Sequence, residues 1–104
     1  MNDNLKIFKN KEFGKVRILI INEESWFVGE NVAGVLGYAK SLNVLSAYVD
    51  EGDSLKQGLI DNIGRIKKTI FINESSLYSL IISSKLPTAK NFKHWITSEV
   101  LSTI

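Results

Sequence analysis

Cysteine is absent from the 104 residues, which removes disulfides, thiolate-bound zinc and a cysteine nucleophile at once, and which fits a reducing compartment. Histidine occurs once, at His94, so no histidine pair exists to hold a metal, and any Ser-His-Asp arrangement would have to be built on that residue. Proline also occurs once, at Pro87, and no Pro-rich or Gly/Ser-rich linker interrupts the chain. The apolar runs, such as Ile18–Ile21 and Leu80–Ile82, fall far short of the ~20 residues a membrane span needs, so no membrane partner is expected. Charged residues break up the first 15 positions, which argues against a secretory signal peptide and for a cytoplasmic protein, in a bacterial host cell or on its nucleoid. Gly34 and Gly37 have the wrong spacing for a nucleotide-binding loop. Acids cluster at Glu23–Glu24 and at Asp50, Glu51 and Asp53, in turn-like segments where acids are ordinary. These absences leave no catalytic constellation. The expectation is a protein that is not an enzyme, with no metal, no cofactor and no small-molecule substrate.

What is present is the composition of an ordinary globular domain: 44% hydrophobic, 10% aromatic and 23% charged residues. The length suits one domain over 1–104, since two pieces would each be too small to bury a core. The formal charge of +2 is mildly basic, which permits nucleic-acid binding without arguing strongly for it.

The first third alternates with a period of two at Leu5, Ile7, Val16, Ile18 and Ile20. Asn22–Ser25 has turn composition, and Val16–Asn22 is expected to pair antiparallel with a strand at Trp26–Val28. The period then changes: Val32, Val35 and Leu36 lie on one face of a helix that Gly37 ends. A second helix is expected from Ser41, with Ser41 capping it and Leu42, Leu45 and Val49 as its buried stripe. Leu55–Arg65 is irregular and reads as a loop or weak hairpin between Gly58 and Gly64. Thr69–Ile72 reads as a strand, Asn73 as the cap of a helix carrying Leu77, Leu80 and Ile81, and Pro87 as the start of a last helix that buries Phe92, Trp95, Ile96 and Val100. The fold class is α+β: a small antiparallel sheet packed with about four helices. Trp26, Phe27, Phe71, Phe92 and Trp95 sit on apolar stripes and read as core.

The run Ile72-Asn73-Glu74-Ser75-Ser76-Leu77-Tyr78-Ser79-Leu80-Ile81, then Ser84-Lys85-Leu86-Pro87, then Ala89 through Leu101, closely resembles the Bro-N domain. That family's pattern runs roughly INESGLYSLI, S(K/R)xPx, AKxFKxWVTxEVLP. Val16-Arg17, Trp26-Phe27-Val28, Val32 and Leu36-Gly37-Tyr38 are similar to its first half, so the resemblance covers about the whole chain. Ser76 stands where the family usually has glycine. Glu30-Asn31 stand where it often has a small residue or lysine followed by aspartate, and Ser102 replaces a proline. The resemblance implies a domain of phage and prophage antirepressors and of Bro proteins of large insect DNA viruses, implicated in DNA binding. In that family a basic stretch and a separate C-terminal domain commonly follow, so this chain is expected to be the N-terminal module of a longer protein.

The residues themselves offer two places for nucleic acid. The helices flanking Gly37, with Ala33 four residues before it, echo helix-turn-helix spacing. The apolar anchor expected six residues beyond the glycine falls on the polar Asn43, with Val44 one further. Lys40, Ser41, Asn43 and Ser46 are the positions on that helix able to reach phosphates or base edges. An ordinary helical hairpin with a solvated polar face would read the same way. Basic groups at Lys6–Arg17, at Arg65, Lys67 and Lys68, and at Lys85, Lys90 and Lys93 are the second signal. Lys90, Lys93, His94 and Thr97 fall on one helix face opposite Phe92, Ile96 and Val100, as a duplex-binding face would, and as many solvated helix faces do. The leading expectation is a DNA-binding module of a transcriptional regulator. The rival is a protein-interaction module that inactivates a phage repressor or self-dimerises, using an exposed apolar patch such as one at Leu86 or Ile104.

Overall fold

The period-two alternation of the first third becomes three of the five strands of a single antiparallel sheet. The computed structural model describes residues 5–60 and 63–103. Its strands are β1 (Leu5–Asn10), β2 (Gly14–Ile21), β3 (Glu24–Val28), β4 (Ser54–Ile60) and β5 (Ile66–Ile72), in the order β1-β2-β3-β5-β4. The helices are α1 (Gly29–Val35), α2 (Ser41–Tyr48), α3 (Glu74–Ser83) and α4 (Ala89–Trp95). The last continues through a π-helical turn at Ile96–Val100 and a short 3-10 turn at Leu101–Thr103. The α+β reading holds, as does the pairing of β2 with β3, where Ile18 faces Phe27 and Ile21 faces Glu24. That register leaves Asn22 and Glu23 alone in the turn, at φ 49° and 68°. Positive φ at both positions gives the mirror-image hairpin turn whose twist matches the flanking strands.

The sheet buries both faces by different means. Val16, Ile18, Phe27 and Ile72 face the helices and meet Leu77, Leu80, Phe92, Ile96 and Val100 in the main core. On the reverse face Leu19, Val28, Leu59 and Phe71 are also buried, and every residue of that cluster comes from a strand. Leu5, Ile21, Trp26 and Leu55 pack around them. The sheet therefore curls, and its concave side holds a second, smaller core. At roughly 1.5–3 kcal/mol per buried large aliphatic or aromatic side chain, this satellite cluster is a substantial part of the driving force.

The centre of the sheet is incomplete. Strand β3 meets β5 only at Phe27–Ile72 and Val28–Phe71, then turns into α1. Helix α1 fills the gap this leaves between β2 and β5. Asn31 Oδ1 accepts hydrogen bonds from the Arg17 backbone N–H and Nε, each at 3.2 Å, standing in for a missing strand partner. At Gly29 a Cβ would lie 2.8 Å from Leu45 Cδ1 and 3.3 Å from the Ile70 carbonyl oxygen. Only glycine lets α1, α2 and β5 approach this closely. Beyond Phe71, β4 and β5 run on as a two-stranded ribbon.

One expectation is resolved and two are corrected. Of the two readings of 55–65, the hairpin holds and the loop does not: residues 54–60 form strand β4, paired antiparallel with β5, and Leu55, Gln57 and Leu59 alternate onto the concave face, a pattern that the exposed Ile60 and Gly58 hide. Ser41 does not cap α2. It is the first helical residue, the cap position is Lys40, and no side chain bonds the free N–H groups there. Leu42 is not in the buried stripe: it is 66% exposed, and Val44, Leu45 and Val49 turn inward instead. Gly37 turns the chain between α1 and α2 at φ +82°, and on α2 Asn43 is exposed, Val44 half-buried and Leu45 buried. Asn73 does cap α3, its Oδ1 accepting from Ser76 N–H at 3.0 Å. Leu86 is 41% exposed against Gly37, and Ile104 lies outside the described residues.

Candidate nucleic-acid interface

Folding regroups the basic and polar residues. Ser41, Leu42 and Leu45 of α2 face Glu30 and the Lys67–Ile70 stretch of β5 across a cleft of about 340 Å³. Lys67 Nζ lies 3.5 Å from Glu30 Oε2, with both side chains more than half exposed. A solvated pair of this kind contributes about 0–1 kcal/mol and would yield readily to a stronger anion. Further along α2, Ser46 and Val49 line a smaller recess with Ser54 and Lys56 of β4. Ser41 and Ser46 therefore lie beside Lys67, Lys68 and Lys56, on a surface built jointly by a helix and a ribbon. Lys40, at the cap position of α2, and Asn43 on it are exposed, as is Arg65 just before β5. Besides Glu30, the acids Asp50, Glu51 and Asp53 follow α2, next to the start of β4 and at the opposite end of that strand from the hairpin connection. The sequence reading missed Lys56. Its register opposite Ile70 shows it only once β4 is recognised as a strand.

Helix α4 carries the second basic face. Lys90, Lys93, His94 and Thr97 are all exposed, with Phe92, Trp95, Ile96 and Val100 buried behind them. Thr97 Oγ1 donates back to the helix, 2.9 Å from the Lys93 carbonyl and 3.3 Å from that of His94, which leaves its lone pairs for a ligand. The turn between β1 and β2 packs on this helix through Phe13, whose ring lies 5.3 Å edge-on from Phe92 and 5.8 Å stacked from Trp95. Lys85 does not join this face. It lines a recess of about 280 Å³ with Leu36, Tyr38, Tyr48 and Leu86. There Tyr38 Oη donates to the Leu80 carbonyl at 2.8 Å, and burial, then the neighbouring Tyr48, raise its pKa above the ordinary tyrosine value. Tyr78 is raised likewise, first by burial and then by Glu74, whose carboxylate it bonds. These are packed phenols, not stacking platforms.

A third surface is the concave side of the sheet, where a groove of about 490 Å³ runs between Ile7, Lys15 and Arg17 on one side and Leu59, Ile60 and Ile66 on the other. Among the described residues no group of three or more His, Asp or Glu side chains is placed to hold a metal ion, and no helix is long and apolar enough to cross a membrane.

A family model described as the BRO family, N-terminal domain, matches residues 15–102. The chain is 38% identical over 81 residues to an uncharacterized protein of Haemophilus influenzae, covering 78% of this chain and 40% of that protein. It is 28% identical over 114 aligned residues to a putative Bro-N domain-containing protein of Invertebrate iridescent virus 6, covering 93% of this chain and 27% of the relative. With an uncharacterized Bro-N domain-containing protein of Acanthamoeba polyphaga mimivirus it shares 30% identity over 115 aligned residues, covering 97% and 46%. The chain thus spans less than half the length of these relatives. No solved structure matches it.

Proposed function

Because the chain belongs to the BRO family N-terminal domain, we propose that it is a DNA-binding module of a phage- or prophage-type regulator, without enzymatic activity, that works in the cytoplasm. The observation that carries this reading is the surface shared by α2 and the β4–β5 ribbon, where Lys40, Lys56, Lys67 and Lys68 surround the polar positions Ser41, Asn43 and Ser46. Lysines on phosphates supply most sequence-independent affinity, while short polar side chains on a helix that enters the major groove can read base edges. Helix α2 is the reading element in this arrangement, and the ribbon lysines lie on the flanking backbone. The lysines of α4 form a second, separate phosphate-binding face.

The test is a salt titration of binding to random-sequence duplex, comparing wild type with Lys67→Ala/Lys68→Ala and Lys90→Ala/Lys93→Ala. Each lost phosphate contact should flatten the log–log salt slope by about 0.9. A reduced slope for the first pair places the ribbon on the backbone, and one for the second does so for α4. Absence of any binding at low salt with protein in large excess sinks the reading.

The concave groove favours a second reading. Its walls, where Ile7 (51% exposed), Leu59, Ile60 and Ile66 stand beside Lys15 and Arg17, suit a protein partner such as a phage repressor, or a second copy of this chain. Capture of a repressor with no retardation of DNA would establish it.

A further inference from the structure

Helix α2 carries no charged residue from Ser41 to Tyr48, although lysines stand on three sides of it. Lys40 holds its cap position, Lys67 and Lys68 lie across one cleft, and Lys56 lies across the second recess. On its outward side Leu42, Asn43, Ser46 and Ala47 are all exposed. They recur at i, i+1, i+4 and i+5, so they form one continuous strip opposite Val44 and Leu45, with Asn43 and Ser46 between Leu42 and Ala47. Leu42 is 66% exposed and belongs to neither core. A lone exposed leucine is ordinary. A leucine and an alanine flanking an asparagine, on an uncharged strip bordered by cations, point to a surface that is apolar in places and polar in others.

The residue types decide what such a strip recognises. Guanine is read by the paired donors of Arg or Lys on O6 and N7, and cytosine by a carboxylate on its N4 amine, and α2 has none of these. Asn43 carries a carboxamide, whose donor and acceptor match N7 and N6 of adenine. Leu42 and Ala47 present methyl groups suited to the C5-methyl of thymine. Ser46 donates or accepts and discriminates little. The acids set the orientation. Asp50 and Glu51 follow the helix, so its N-terminal half faces the duplex, and Glu30 on the cleft is already paired with Lys67. At ~1.5 Å per residue α2 is about 12 Å long, short enough to lie in a major groove about 12 Å wide.

We propose that α2 selects A·T pairs in the major groove: Asn43 bonds N6 and N7 of adenine, while Leu42, with Ala47, packs on thymine methyls. The proposal rests on the DNA-binding reading above and adds to it the base pair that is chosen. In this arrangement Lys40, Lys56, Lys67 and Lys68 hold phosphates, which fix the register of the helix and carry no sequence information themselves.

The experiment measures binding by anisotropy to labelled duplexes of one length: A·T pairs in mixed order, the same duplex with uracil for thymine, the same with 7-deazaadenine for adenine, and a G·C duplex. Uracil removes the thymine methyl and 7-deazaadenine removes N7, and both leave the minor-groove edges unchanged. Wild type should bind the A·T duplex about fivefold or more tightly than the G·C duplex. It should lose about fourfold on the uracil duplex, the worth of one buried methyl, and about fivefold on the 7-deazaadenine duplex. Leu42→Ala, at an exposed helical position that alanine suits, should lose most of the uracil penalty. Asn43→Ala should lose the 7-deazaadenine penalty and Asn43→Gln should retain part of it, since glutamine makes the same pair with adenine. All three variants should keep the wild-type salt slope, because none removes a phosphate contact. Wild type that binds A·T and G·C duplexes alike overturns the readout and leaves the DNA-binding reading intact. So does an A·T preference that survives in both modified duplexes, which assigns it to the minor groove or to duplex shape, and so do variants that keep the wild-type penalties. Absence of binding to every duplex removes both readings together.

Discussion

Gly37→Ala should destabilise the domain by an amount set jointly by two elements far apart in sequence. The glycine sits at φ +82°, a conformation that costs an L-residue about 1–2 kcal/mol. Its absent side chain would also point into Leu86, with a Cβ 2.6 Å from Cδ1 and 2.8 Å from Cγ. Leu86 is 41% exposed at the α3–α4 turn, so it can swing away, at a cost of about 0.5–1.5 kcal/mol for a displaced rotamer. The single variant should therefore lose roughly 1.5–3.5 kcal/mol, and a domain of this size loses about 4–8 °C of melting temperature for each of those. In a Leu86→Ala background the steric part disappears and only the backbone strain remains, so the same substitution should cost about 0.5–1.5 kcal/mol less. Urea unfolding followed by the fluorescence of Trp26 and Trp95 measures all four corners of the cycle. Gly37→Asn is a useful third variant, since asparagine tolerates positive φ better than alanine. Equal costs in the two backgrounds would refute the contact between the α1–α2 and α3–α4 turns. A cost near zero in both would refute the left-handed turn itself.

Two further substitutions test the joints around the sheet. Asn73→Ala removes both the α3 cap and the hydrogen bond from Asn73 Nδ2 to Asp53 Oδ1 at 2.9 Å, and should cost about 1–3 kcal/mol in urea unfolding. Asn73→Asp keeps an acceptor for Ser76 but sets a second carboxylate against Asp53, so it should fall between wild type and alanine at low ionic strength and move toward wild type as salt rises; indistinguishable Asp and Ala variants would argue against the cap. At Asn31, where the family pattern often has aspartate, Asn31→Asp should stabilise by about 0.5–1 kcal/mol, because its carboxylate would accept the same two Arg17 hydrogen bonds with charge assistance. A loss of stability in Asn31→Asp would show that the Arg17 contact is not what sets this position.

The parts of the fold legible in the sequence are those where a local signal and a buried face coincide. Val16 to Ile21 alternates because two cores flank it, and Phe92, Ile96 and Val100 recur at helical spacing because α4 buries one side only. Asn73 read correctly as a cap because capping is decided within four residues. Strand β4 was obscured because it is an edge strand with one fully buried residue, Leu59, and because Gly58 and the outward Ile60 break the alternation. In α2 two stripes overlap, Leu42-Leu45-Val49 and Val44-Leu45, and the choice between them depends on how α2 sits over Gly29, which no local pattern records. The site follows the same logic. The basic groups were visible as groups, but only the fold brings Ser41 to Lys67 and sends Lys85 away from α4. The exposed isoleucines passed as strand composition because exposure is not written in residue type.

The short contact between β3 and β5 has a mechanical consequence. The β1–β2–β3 meander and the β4–β5 ribbon share only two residue pairs within the sheet, so a load applied to the ribbon end has little hydrogen-bonded ladder along which to travel. Its alternative route is the crowded point where Gly29 meets Leu45 and Ile70, and from there through Asn31 to Arg17 on the far side of the gap. Whatever grips the ribbon therefore pulls on α1 and α2 together before it strains the meander, and the two halves of the sheet are geared through a helix rather than through the sheet itself.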